Sequence, residues 1–150
     1  MRNAERIRRS VRGSLKPRAV NRNFQVVLDA IDSFQKAAKD ELELGETPAR
    51  AFNRCFEIAQ AFTWFTLGMG EPVIVLACYG LKLPPTVPEF TVTPANVSHY
   101  LTWFTIEQRA VDFTARQFWT EAAHPAILTG KELAERFTTI AWPKKRKEAK

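Results

Sequence analysis

Residues 73–80 read Val-Ile-Val-Leu-Ala-Cys-Tyr-Gly, and their secondary structure decides the fold class. The β-branched residues favour a strand. Pro72 before the run, Gly80 at its end and helical patterns on both sides favour a short buried helix instead. Periodicity alone does not assign an apolar run of this length. We expect a helix here and keep a strand as the alternative.

On the N-terminal side of this run, two stretches have the spacing of amphipathic helices. Apolar residues recur three or four positions apart between residues 24 and 38, and the glycine that follows at Gly45 is typical of a helix end. The second pattern begins at Thr47-Pro48, an N-cap residue followed by proline, and continues to Gly68. Both stretches are predicted to be helices.

On the C-terminal side, residues 81–92 contain three prolines and are predicted to be an extended connector. Thr93-Pro94 repeats the cap signature and predicts the longest helix, which would end at His124-Pro125. The pattern of a capping box at residues 129–132 predicts a last helix that ends before Pro143. We therefore predict an all-α fold, a compact bundle of four to five helices over residues 23–143.

The charge of the chain is concentrated at its two ends. Residues 1–22 form a basic, Arg-rich arm and residues 144–150 form a basic tail; together the ends carry about +11, although the net charge of the whole chain is +6. Positive ends on a mildly acidic body favour a polyanionic partner. Nucleic acid is the partner we expect, and the residues predicted to contact its phosphates are Arg6, Arg8, Arg9, Arg12, Lys16, Arg18, Lys144, Lys145, Arg146 and Lys147.

The expected function is therefore that of a non-enzymatic accessory or regulatory protein that binds DNA or RNA through its ends. The alternative is a protein-interaction module, either an inhibitor or an assembly subunit, whose basic arms dock on an acidic protein surface. A homo-oligomer is a further possibility, because the acidic residues between positions 40 and 46 could receive a basic arm. The sequence does not decide whether the arms are ordered when free.

Three aromatic doublets fall on predicted helices, and neighbouring residues on a helix point about 100° apart. One member of each doublet is therefore expected at the boundary or outside, where tryptophan is enriched in protein interfaces. The predicted interface residues are Trp64, Trp103 and Trp119.

The sequence shows no catalytic signature, cofactor motif or metal-binding spacing, so no enzyme, cofactor, metal or small-molecule substrate is expected. Cys55 and Cys78 lie in apolar stretches and are interpreted as buried thiols in a reducing compartment. His99 is predicted to lie on a helix, where Glu107 would fall about 80° away and form no ligand face with it. No serine, cysteine or carboxylate stands in a recognisable nucleophile context.

We expect an intracellular protein of a reducing compartment, the cytoplasm or nucleus, because the two cysteines match no disulfide framework and the N-terminus lacks the apolar stretch of a secretory signal. The longest apolar run is too short to span a bilayer, so no transmembrane segment is expected. The Arg-rich, acid-poor N-terminus also has the composition of a mitochondrial presequence, which keeps a mitochondrial location as an alternative.

Overall fold

A five-stranded antiparallel sheet organises the part of the chain that the computed structural model describes, residues 15–39, 43–88 and 90–144. The helices there are α1 (Leu15–Ala38), α2 (Pro48–Ala51), α3 (Cys55–Gly68) and α4 (Gly130–Arg136). The strands are β1 (Val73–Leu81), β2 (Ser98–Phe104), β3 (Arg109–Asp112), β4 (Ala126–Leu128) and β5 (Phe137–Ile140). The strand order is β4-β3-β2-β1-β5. The fold is mixed α/β, so the prediction of an all-α helical bundle is wrong.

The stretch that decides the fold class, residues 73–80, lies in β1 and not in a helix. β1 is the second-to-last strand of the sheet and pairs with β2 on one side and β5 on the other. Both faces of the sheet are covered, which makes its central strands apolar on both sides. A strand buried in this way reads as a continuous apolar run, and the β-branched residues were the informative signal.

The predicted long helix after Thr93-Pro94 is also wrong. A single 3-10 turn, Pro94–Asn96, follows this cap, and the chain then forms the β2–β3 hairpin and a second 3-10 turn, Ala115–Gln117. Four consecutive residues of β2, 101–104, are buried. Apolar side chains on both faces of β2 happen to include pairs three or four residues apart, and this spacing imitated a helix.

The other predicted helices are confirmed in part. α1 covers residues 24–38 but begins at Leu15, inside the predicted basic arm 1–22. The helix predicted to run from Thr47 to Gly68 is interrupted at residues 52–54, which separates α2 from α3. The capping box at Thr129 and Glu132 is present, but α4 ends at Arg136 and the chain continues as β5.

Two hydrophobic cores lie on opposite faces of the sheet. Helices α1 and α3 pack on one face, where the rings of Phe34, Phe62 and Phe113 contact one another. Leu133 of α4 and Phe137 of β5 cover the other face together with Phe118 and Trp119. The sheet is therefore the middle layer of the fold.

A buried hydroxyl pair fixes α3 on β2. The Thr102 hydroxyl donates to the Ala59 carbonyl oxygen at 3.2 Å, so the hydroxyl of Thr63, 2.9 Å from it, is the donor in the bond between the two threonines. Since buried hydroxyl groups are costly when unpaired, this arrangement favours one position of α3 along the strand. That position brings the first residue of α3 to the start of β2.

Within the described residues, no helix is long and apolar enough to cross a membrane. The predicted domain boundaries stay a prediction, because residues 1–14 and 145–150 lie outside the described part of the chain.

Candidate active site

Cys55 is the first residue of α3, and a tight turn presents it there. The turn depends on Asn53, which has a φ of 57°, a left-handed conformation that asparagine adopts more readily than most residues. Arg54, the N-cap residue, makes no side-chain bond to the free N–H groups of the first helical turn. Cys55 is half-buried. Its thiol therefore lies at the positive end of the α3 dipole, a position that favours a thiolate.

The turn before Cys55 is held by bonds to the loop that precedes α2. The Arg54 guanidinium donates to the Glu43 carbonyl oxygen at 2.8 Å and pairs with the Glu57 carboxylate at 3.2 Å. In the same loop, Gly45 has a φ of 74°, and a Cβ atom there would lie 2.9 Å from the Phe113 carbonyl oxygen. Glycine is required at this position for both reasons. The loop can therefore pack closely beside the end of β3.

His99 and Asp112 lie on neighbouring strands and on one face of the sheet. Leu101 and Trp103 of β2 belong to the core on the α4 side, and His99 shares their alternation. The register pairs Thr102 with Val111, so Asp112 is a diagonal neighbour of His99 across the hairpin. The His99 Nε2 atom is 2.7 Å from Asp112 Oδ2, and both side chains are buried.

The Asp112 carboxylate is held in place on its other oxygen. Oδ1 accepts from the Thr114 backbone N–H at 3.0 Å and from the Thr114 hydroxyl at 3.3 Å. The His99 ring is stacked on Phe137 and meets the Phe118 ring edge-on, at centroid distances of 5.4 and 5.0 Å. These contacts fix the orientation of the imidazole before any ligand binds.

The Cys55 thiol lies beside the His99 imidazole and the backbone N–H of Tyr100, near enough for both groups to act on its pKa. Because Asp112 occupies Nε2, the ring atom left for the thiol is Nδ1. Burial favours a neutral thiol, but the His99 hydrogen bond, the charge of its ring and the Tyr100 N–H outweigh burial and lower the pKa of Cys55. Burial likewise opposes the imidazolium, but Asp112 and the bond to Cys55 outweigh it and raise the pKa of His99 to about 9. Both shifts act in the direction of a thiolate–imidazolium pair.

Gln117 completes the surroundings of the imidazole. Its Nε2 atom lies 3.1 Å from His99 Nδ1, the ring nitrogen that does not bind Asp112. As oriented, the Gln117 amide donates to an unprotonated Nδ1 and so stabilises the neutral ring. Gln117 and Cys55 therefore compete for the same ring nitrogen.

Cys78 provides a contrast within the same protein. It lies opposite His99 in the β1–β2 register, but it is fully buried in the core. Burial, with a further contribution from the negative charge of Asp112, raises the pKa of Cys78 to about 12. A thiol in this state is protonated and poorly nucleophilic. The interpretation as a buried thiol fits Cys78, whereas Cys55 has the surroundings of a reactive one.

Comparison with protein-family models, curated proteins and solved structures finds no match for this chain.

The side chains themselves are arranged for nucleophilic chemistry. A thiol with a lowered pKa contacts an imidazole, and a buried carboxylate binds the other nitrogen of that imidazole. Covalent catalysis by cysteine requires a nucleophile, a base that takes its proton and a group that orients the base. The three side chains lie in this order. Among the described residues, no group of three or more His, Cys, Asp or Glu side chains is placed to hold a metal ion.

Of the residues that the sequence predicted as functional, those with described side chains lie outside this group. Trp64 is 65% exposed on α3, whereas Trp103 and Trp119 are buried in the core on the α4 side. Lys144 is exposed after β5. The remaining predicted nucleic-acid contacts lie outside the residues whose side chains are described: Arg6, Arg8, Arg9, Arg12, Lys16, Arg18, Lys145, Arg146 and Lys147.

The sequence reasoning missed Cys55, His99, Asp112 and Gln117. Assigning His99 to a helix separated it from Asp112, because thirteen residues of helix would place the two far apart. A strand assignment for residues 98–104 would have changed this, since a hairpin returns the chain to its starting end. The position of Cys55 at a helix start was a second signal for a functional thiol. The prediction of one continuous helix from Thr47 to Gly68 placed Cys55 inside a helix and concealed this signal.

Proposed function

We propose that this protein is a thiol-dependent enzyme that transfers an acyl group from a carbonyl substrate, to water or to another nucleophile, through Cys55. The observation that carries the proposal is the position of the buried His99 imidazole between Asp112, 2.7 Å from Nε2, and the Cys55 thiol at the start of α3. Cys55 is the nucleophile, His99 is the general acid and base, and Asp112 orients His99.

In the first half of the reaction, the Cys55 thiolate attacks the carbonyl carbon and forms a C–S bond. The carbonyl electron pair moves to oxygen, and the negative charge is stabilised at the start of α3, where N–H groups have no acceptor within the helix. The C–O or C–N bond to the leaving group then breaks. His99 Nδ1 gives its proton to that group, and an acyl thioester remains on Cys55.

In the second half, His99 is neutral and accepts a proton from water or from another nucleophile at Nδ1. The deprotonated nucleophile attacks the thioester carbonyl, the C–S bond breaks, and Cys55 leaves as a thiolate. The proton remains on His99, so the starting thiolate–imidazolium pair is restored. Asp112 stabilises the imidazolium in both halves through its bond to Nε2.

A generic activated ester tests this proposal without knowledge of the natural substrate. The full chain is mixed with p-nitrophenyl acetate, and release of p-nitrophenolate is followed together with the mass of the intact protein. We expect a burst of about one equivalent per chain and an acetyl group on Cys55. Cys55→Ser should lose both signals, and the matched variant Cys78→Ser should keep them. Acetylation of other residues alone, or equal labelling of the two cysteines, would refute the proposal.

The function predicted from the sequence, a non-enzymatic protein that binds nucleic acid through basic ends, stays a prediction. So does its alternative, a protein-interaction module. Among the described residues, exposed Lys144 and Trp64 are compatible with these functions, but neither residue favours one partner over another. An enzyme whose basic ends bind a polyanion would satisfy both lines of reasoning.

A further inference from the structure

Exposed aromatic rings flank the proposed nucleophile on both sides along the chain. Phe56 directly follows Cys55 and is 49% exposed, and Phe52 in the preceding turn is 61% exposed. The Phe56 ring meets the Tyr100 ring edge-on at a centroid distance of 5.0 Å. Tyr100 follows His99, and its backbone N–H faces the Cys55 thiol. We name Phe52, Phe56 and Tyr100 the aromatic rim.

The charged groups next to the rim are already paired with the protein. Arg54 binds the Glu57 carboxylate and the Glu43 carbonyl oxygen, and Arg50 lies 3.9 Å from the Glu43 carboxylate. Arg116, in the 3-10 turn that carries Gln117, donates to the carbonyl oxygens of Ala122 and Glu46. A charged substrate would compete with these partners for the arginines.

The aromatic rim provides exposed apolar surface beside the thiol. Phe56 and Phe52 keep a large part of their apolar surface in water, and that surface gains free energy when an apolar group covers it. Tyr100 joins this surface directly to the thiol and the imidazole. An acyl group bound as a thioester on Cys55 would start within reach of the rim.

We propose, on the basis of the proposed function, that the aromatic rim binds an apolar group of the substrate's acyl portion. The enzyme would then select acyl groups with a hydrophobic chain or side chain over small or charged ones. An aliphatic acyl chain and the apolar side chain of an amino acid share this chemistry, and the experiment separates them.

The test compares p-nitrophenyl acetate, butanoate and hexanoate at equal protein concentration. Each methylene group that becomes fully buried is worth about fourfold in kcat/KM. We expect at least about a tenfold rise from acetate to hexanoate, which corresponds to partial burial of the added methylene groups. A second series compares the p-nitrophenyl esters of N-acetylglycine and N-acetylleucine. A larger rise in kcat/KM from N-acetylglycine to N-acetylleucine than from acetate to hexanoate identifies an amino-acid side chain as the apolar group. A larger rise from acetate to hexanoate identifies an aliphatic chain.

Variants of the rim and a matched control decide whether the rim causes the preference. Phe56→Ala should flatten both series, and Phe56→Leu should keep most of the preference because it retains apolar surface. Leu67→Ala is the control: Leu67 is 48% exposed on the same helix, about 18 Å along the axis from Cys55. It should leave the preference unchanged.

The outcomes distinguish this inference from the function on which it rests. A wild-type protein that forms the acetyl adduct on Cys55 but shows no preference for longer or apolar acyl groups overturns the inference alone. A preference that Phe56→Ala and Phe52→Ala leave intact also overturns it. Failure of Cys55 to react with any of the esters overturns the proposed function and the inference together.

Discussion

Replacing Asp112 by asparagine removes the charge that holds a proton on His99. In the wild-type protein, burial opposes the imidazolium, but Asp112 and Cys55 raise the pKa of His99 to about 9. In the Asp112→Asn variant the opposition from burial remains, so we expect the pKa of His99 to fall to its ordinary value of about 6.5 or below. A fall from about 9 to about 6.5 corresponds to about 3 kcal/mol in favour of the neutral ring.

This change should be visible by NMR, because the chain has only two histidines. The imidazole signals of His99 and His124 can be followed from pH 5 to pH 10 in the wild-type and Asp112→Asn proteins. His124 serves as an internal reference: burial, followed by the charge of Arg116, lowers its pKa. We expect His99 to titrate near pH 9 in the wild-type protein and at or below about pH 6.5 in the variant.

The variant should also lose its reactive thiol, because the pKa of Cys55 is lowered by the imidazolium that Asp112 maintains. Glu107→Gln is the matched control, since Glu107 is another buried carboxylate but lies in the turn at the far end of the β2–β3 hairpin. It should leave the His99 titration unchanged. The reasoning is refuted if His99 titrates near its ordinary value in the wild-type protein, or if Asp112→Asn does not move it.

Three further predictions concern the proton balance, Gln117 and the basic ends. A folded thiolate–imidazolium pair holds one proton, as Cys55 and His99 together do in the unfolded chain between about pH 6.5 and 8.5. In Cys55→Ala, His99 is protonated only in the folded state over this range. Urea unfolding should therefore show that the variant loses up to about 1.4 kcal/mol more per pH unit than the wild type as pH rises, and equal slopes would contradict the ion pair. Gln117→Ala should remove the donor that stabilises neutral His99. The imidazolium then becomes more favourable, so half-maximal iodoacetamide labelling of Cys55 should shift to lower pH. A shift to higher pH would contradict this role, because it would mean that the amide oxygen accepts the Nδ1 proton. Fluorescence anisotropy with labelled duplex DNA and single-stranded RNA tests the nucleic-acid prediction. Binding should weaken steeply with salt and on removal of residues 1–22 or 144–150, and no binding near physiological salt would refute the prediction.

The local signals in the sequence were more informative than the long-range ones. The capping box at Thr129 was identified correctly, because its hydrogen bonds involve residues three apart in the chain. The apolar spacing of residues 24–38 was also identified correctly, since α1 buries one face only. Both features depend on neighbours that the sequence itself places close together.

The sheet could not be deduced in the same way, because its strands are buried on both faces. Periodicity distinguishes a helix from a strand when one face is exposed and polar, and β1 and β2 have no exposed face over most of their length. The β-branched residues of 73–76 favoured the strand but carried less weight than the helices on either side. Tertiary burial, which the sequence does not display, decided the outcome.

The candidate site was hidden for a related reason. Cys55 and His99 are 44 positions apart in the sequence, and only the packing of α3 on β2 through Thr63 and Thr102 brings them together. The bond between His99 and Asp112 depends on the register of a hairpin that was predicted as a helix. Each residue alone has an ordinary structural explanation, so the chemistry becomes visible only with the contacts.

The reactivity of Cys55 is tested most directly by the pH dependence of its alkylation, with Cys78 as the internal control. The folded wild-type chain is treated with iodoacetamide from pH 5 to pH 10, and labelling of each cysteine is measured by mass spectrometry of its peptides. We expect Cys55 to be half-maximally reactive below the ordinary thiol value of about 8.5, His99→Ala to abolish this shift, and Cys78 to stay unlabelled in the folded protein. Half-maximal labelling of Cys55 at or above about pH 8.5, or a profile that His99→Ala leaves unchanged, would contradict this expectation.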